Sequence, residues 1–130
     1  MKHLIFFFII FLLKGNASLA STQNKIIVSI GNQIITSYEL KNRVQTILVL
    51  NNKELTQENV NKTKGQALNF LINFKLKKEE VIKYKIRSND KAVSNHLNNI
   101  ASNYNTDENG LKTIFKNNNL SYELLLDGIK

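Results

Sequence analysis

The sequence predicts a mainly α protein, a short N-terminal strand or hairpin followed by about five helices, one of them long. Three observations predict it. Apolar residues recur at helical spacing through most of the chain after residue 36. Each such stripe is preceded by a Ser or Thr able to cap a helix. The chain contains no proline to interrupt a helix. It has no cysteine either, so apolar packing must hold it together without a disulfide. Its length suits one small domain.

The elements follow in order. Residues 25–30, "KIIVSI", are β-branched and read as a strand. Gly31-Asn32 then offers the positive φ of a tight turn, and Ile34-Ile35 continue extended. Thr36-Ser37-Tyr38-Glu39 fits a capping box, with Ile35 placed to staple onto Leu40. A helix therefore starts near Ser37, carries Leu40, Val44, Ile47 and Leu48 on one face, and ends at Asn51-Asn52. Thr56 caps the longest helix, about residues 57–84. Its apolar face includes Val60, Ala67, Leu68, Leu71, Ile72, Val81 and Ile82, widened by Phe70, Phe74 and Leu76. Gly65 within it costs up to about 1 kcal/mol relative to Ala unless it permits close packing. Ser88 is expected to cap a third helix bearing Val93, Leu97, Ile100, Ala101 and Tyr104. Thr106 is expected to open a short fourth with Leu111, Ile114 and Phe115. Ser121 caps a fifth with Tyr122, Leu125, Leu126 and Ile129.

The first residues form a separate unit. Lys2 precedes ten unbroken apolar residues, 4–13, and Ser18-Leu19-Ala20 supplies the small residues of a cut after Ala20. This is the pattern of a secretory signal peptide. The apolar run is half the length of about 20 residues that a membrane span needs, and Lys14 ends it. A mature domain over residues 21–130 is expected, with no stable membrane span once the leader is removed.

The formal net charge of the whole chain is +8. Sixteen of its eighteen basic residues are Lys and only two are Arg, spread along the chain. Arg is the better reader of phosphates and bases, so the pattern argues against a nucleic-acid partner. The local run "KLKK" at residues 75–78, followed by Glu79-Glu80, reads as a solvated helix face. No phosphate loop, CxxC or HExxH occurs. His96 stands alone on a polar face, and Glu79 and Glu80 point to different sides of their helix. No catalytic residue, metal ligand or cofactor is expected.

The stretch "IIVSIGNQIITSYELKNRV" resembles the start of the N-terminal chaperone domain of the SurA family. The runs "ALNFLINFKLKKEEVIKYKIRSNDKAVSNHLNNIASNYN" and "LKTIFKNNNLSYELLLDGI" are similar to its later helices, so the resemblance spans about residues 25–130. PpiD-like and other parvulin-associated isomerases share the module. The resemblance implies the SurA N-terminal, trigger-factor-like peptide-binding fold and a periplasmic, ATP-independent holdase for unfolded outer-membrane proteins. The alternative it implies is an accessory domain of a parvulin-type prolyl isomerase whose catalytic part is absent from this chain. Family members continue into parvulin domains and a C-terminal segment, so the module is expected to be truncated at its C-terminal end. The residues expected to meet a client are Phe70, Phe74, Leu97, Tyr104, Phe115 and Tyr122, against the plainer reading that such stripes pack inside.

Overall fold

The computed structural model describes residues 24–130. The expected leader and its cut after Ala20 lie outside them. Two strands, β1 (Ile26–Ile30) and β2 (Gln33–Thr36), form an antiparallel hairpin. Five helices follow: α1 (Ser37–Leu50), α2 (Gln57–Lys83), α3 (Asp90–Ser102), α4 (Glu108–Asn117) and α5 (Tyr122–Asp127).

The hairpin closes with a two-residue loop between the paired Ile30 and Gln33. Gly31 alone takes positive φ there, at +54°. That positive φ favours glycine, and a Cβ there would also lie 2.8 Å from Oε1 of Glu79, which would have to shift. The Asn32 amide donates to that same carboxylate oxygen at 3.2 Å, fastening the hairpin tip to α2. Val28 pairs with Ile35, but Ile26 pairs with Thr36, so Ile27 is the extra residue of a bulge. Ile35 is fully buried beneath the sheet.

The capping box at α1 is complete. The Glu39 amide donates to Thr36 Oγ1, and the Glu39 carboxylate accepts from the Thr36 amide at 2.8 Å. The other carboxylate oxygen accepts from Lys75 Nζ at 2.7 Å, tying the start of α1 to the middle of α2. Burial pushes the Glu39 carboxyl upward, but the Lys75 ammonium and the Thr36 donors outweigh it and hold its pKa below the ordinary 4.5. A lowered carboxylate pKa stabilises the fold above the unfolded-state value, and that stability is lost as pH falls through the folded-state value. We therefore expect the melting temperature of the wild-type chain to drop as pH is lowered from about 4.5. Glu39→Gln should cost about 2 kcal/mol at pH 7, and the gap should close in acid. Thermal melts from pH 7 to pH 2 check both.

Four helices end alike. One or two residues past each cap the backbone takes positive φ, at Asn52, Lys85, Asn105 and Asn119, all between 51° and 53°. Each is closed by paired backbone bonds, as in Lys53 N–H to Leu48 C=O with Asn52 N–H to Val49 C=O, and Leu120 N–H to Phe115 C=O with Asn119 N–H to Lys116 C=O. This is the Schellman closure, and Asn is the side chain after Gly that best tolerates it. At Lys85 a long side chain occupies the same conformation. Lys85→Gly should therefore raise stability by about 1 kcal/mol. Gly65→Ala should do the same, because nothing lies within 4 Å of the Cβ it would add. No close packing explains Gly65. Denaturant titration reads both variants.

The closures also correct two expected caps. Asn89, not Ser88, caps α3 by accepting from Ala92 N–H, and Asp107, not Thr106, caps α4 by accepting from Gly110 N–H. Thr106 N–H donates to Ala101 C=O in the closure of α3, so Thr106 belongs to that closure and the next helix starts after Asp107.

Two apolar clusters result. The first joins Ile35, Leu40, Val44 and Leu48 to Ala67 and Leu71 of α2. The second joins Leu97 and Ala101 of α3 to Leu111 and Phe115 of α4, with Leu120 and Leu125. α1 belongs to both, because Val49 and Leu50 at its end pack on the second cluster. Tyr104 Oη donates to Val49 C=O at 3.0 Å and locks that junction. Among the described residues no helix is long and apolar enough to cross a membrane.

Candidate functional site

α2 has 27 residues and α1 has 14, so their lengths are about 40 and 21 Å. α1 covers only part of α2. The rest of α2 is left with the end of α5 and the last residues beside it. Between them runs a groove of about 400 Å³ with Phe74, Val81, Ile82, Ile86 and Ile129 in its walls. Ile82 is 61 % exposed and Ile86 58 %. Lys77, Lys78 and Lys130 line it as well. Lys78 crosses to Asp127 at 2.7 Å, a half-exposed pair that joins the two walls and contributes at most about 1 kcal/mol.

At its inner end the groove meets a small cavity through Phe74, Asp127 and Gly128. Phe70 and Phe74, one helical turn apart, stack there with ring centroids 6.4 Å apart. The Arg43 guanidinium lies 3.4 Å from the Phe70 ring centroid. Burial lowers the Arg43 pKa from its ordinary 12.5, and the group remains a cation. A second groove, with Ile27, Leu40, Val44, Leu55 and Val60 in its walls, lies at the other end of α2.

The residues expected to meet a client separate into three pairs. Phe70 and Phe74 are half-buried and line the inner groove. Leu97 and Phe115, at 3 % and 0 % exposure, are core residues, because α3, α4 and α5 close over them. Tyr104 and Tyr122 are half-buried and their hydroxyls are engaged within the domain. The Tyr122 ring meets Phe115 edge-on at 5.8 Å. Its hydroxyl donates to Glu108 at 3.1 Å, and burial together with that carboxylate pushes its pKa up to about 12. Neither tyrosine lines the groove. The run at residues 75–80 is also more than a solvated face. Lys75, with Lys78 and Glu79 three and four residues on, holds α1, α5 and the hairpin tip, while Lys77 and Glu80 face water.

Arg43 and the groove residue Ile86 do not follow from the helical stripes. A signal for Arg43 exists: it is one of two arginines among eighteen basic residues. His96 is exposed on α3. Among the described residues no cluster of His, Cys, Asp or Glu is arranged to hold a metal.

A hairpin leading into a capped helix, a long second helix and three short ones is the order the SurA resemblance implies. A family model described as SurA-like N-terminal domain matches residues 1–130. The chain belongs to this family. The SurA-like assignment makes it a chaperone-type domain, in keeping with a site made of apolar surface. No curated protein and no solved structure matches the chain.

Proposed function

We propose that this SurA-like domain is an ATP-independent holdase that keeps unfolded outer-membrane proteins from aggregating in the periplasm. In this reading residues 1–20 are the leader removed on export, and residues 21–130 are the working domain. The observation that carries the reading is the exposed apolar groove along the second half of α2. Unfolded barrel strands carry alternating apolar side chains and unpaired backbone edges, which associate with one another. A groove walled by Phe74, Val81, Ile82 and Ile86 shields such side chains through contacts that need no single sequence. Of the residues expected from the sequence, Phe74 lines it and Phe70 lines the small cavity at its inner end. The positive charge around the groove favours encounter with acidic precursors.

The test is light scattering of an unfolded outer-membrane barrel protein diluted into buffer with the purified domain, at low and moderate salt. Suppressed aggregation at near-stoichiometric ratios, retained as salt rises, is the expected result. A folded, helical sample that leaves scattering unchanged would defeat the reading. Suppression that vanishes with salt would point to charge attraction alone.

A further inference from the structure

The small cavity at the inner end of the groove holds the Arg43 guanidinium, which lies over the Phe70 ring but pairs with no carboxylate. Nε of Arg43 is buried and has no hydrogen-bond acceptor. Buried donors are almost always paired, and an unpaired one on a charged group is costly. Two carboxylates line the same cavity, but each is taken. Glu39 is held by Lys75 and Asp127 by Lys78, both at 2.7 Å. Those pairs are neutral, which leaves the charge of Arg43 uncompensated. The remaining polar lining groups, Asn42 and Thr46, bond each other, with Asn42 Oδ1 accepting from Thr46 at 3.5 Å. The cavity measures about 30 Å³. A single water needs about 10–15 Å³ by the same measure, so there is room for two oxygen-sized atoms.

We propose that this cavity is a carboxylate subsite of the polypeptide groove. A carboxylate matches the planar fork of a guanidinium and supplies an acceptor to the unpaired Nε of Arg43. The carboxylate is either an Asp or Glu side chain of an extended polypeptide or its C-terminal end. The flanking apolar side chains of that polypeptide run outward past Phe74 towards Ile82. The proposal rests on the groove being a polypeptide site, and adds to it a preference for an acid beside apolar residues.

The experiment uses fluorescently labelled apolar peptides of about ten residues. They carry one central Glu or Gln, with a free or an amidated C-terminus. Anisotropy gives Kd with the wild-type chain and with Arg43→Met, at moderate salt. The expected result is that the peptide with no carboxylate binds about tenfold more weakly than the better of the two acids. The comparison of central Glu with free terminus identifies the source of the carboxylate. Arg43→Met should erase the difference, while the exposed-site control Lys64→Met should keep it. In the wild-type chain, the Nε–H resonance of Arg43 should move on adding the acidic peptide and stay put with the neutral one. Arg87, exposed and the other arginine, serves as the internal reference. Equal affinity for acidic and neutral peptides, with an unmoved Arg43 signal, overturns the subsite and leaves the groove intact. An acid preference that survives Arg43→Met overturns it too. Failure of every peptide to bind overturns the groove reading and the subsite together.

Discussion

Phe115→Ala should remove about 3–5 kcal/mol of stability, the cost of deleting a large buried aromatic side chain and leaving a cavity. Phe115 is 0 % exposed, packs among Leu97, Leu111 and Leu125, and receives the Tyr122 ring edge-on. Small domains have about 5–15 kcal/mol in all, so the variant should be close to unfolding at 37 °C. The loss should not stay local. Val49 and Leu50 of α1 pack on this cluster, while Leu40, Val44 and Leu48 of the same helix hold the other. Thermal unfolding followed by circular dichroism should therefore show one transition, shifted as a whole. A second, unshifted transition from the hairpin and α2 would mean that α1 does not couple the clusters.

The paired substitution Ile82→Asp with Ile86→Asp should have the opposite profile. Both side chains are more than half exposed, so stability should change by less than about 0.5 kcal/mol per site. Holding of an unfolded barrel protein should weaken by about tenfold or more. Each buried isoleucine is worth about 1.5–3 kcal/mol, about 1.4 kcal/mol is a factor of ten, and a carboxylate placed in an apolar contact adds a desolvation cost. The reading compares the chaperone-to-client ratio needed to halve light scattering with the melting temperature of the same sample. An unchanged ratio would move the site away from this groove, and the groove beside Ile27 and Leu55 at the other end of α2 would be the next to alter.

Much of the fold was legible because its signals are local. The capping box needs only Thr36 and Glu39, three residues apart, and the structure makes both of its bonds. Thr56 and Ser121 cap the helices that the sequence placed after them. The stripes of α1 and α4 read directly as Leu40, Val44 and Leu48, and as Leu111 and Phe115. The shifted caps at Asn89 and Asp107 show where local reading fails. Ser88 and Thr106 are good capping residues, but Thr106 is part of the closure of the preceding helix. Three asparagines, Asn52, Asn105 and Asn119, occupy left-handed positions that close helices.

The site was less legible, and the reason is distance along the chain. A stripe at helical spacing records that one face avoids water, not which neighbour covers it. Phe74 and Phe115 look alike in sequence, yet one lines a groove and the other is sealed by α3 and α5. The charged run at residues 75–80 looks solvated, yet its partners Glu39, Asn32 and Asp127 lie 36, 47 and 49 residues away.

By itself the sequence determined the order of elements, where most helices begin and which faces are apolar, since these depend on residues within a turn or two of each other. The tertiary structure decided which apolar residues became core and which were left as a groove. That outcome follows from the shorter reach of α1 along α2, a property of two packed helices that neither one carries alone. It also decided that Arg43 would lie half-buried over Phe70 without a carboxylate partner, because the two carboxylates lining its cavity pair with lysines from α2.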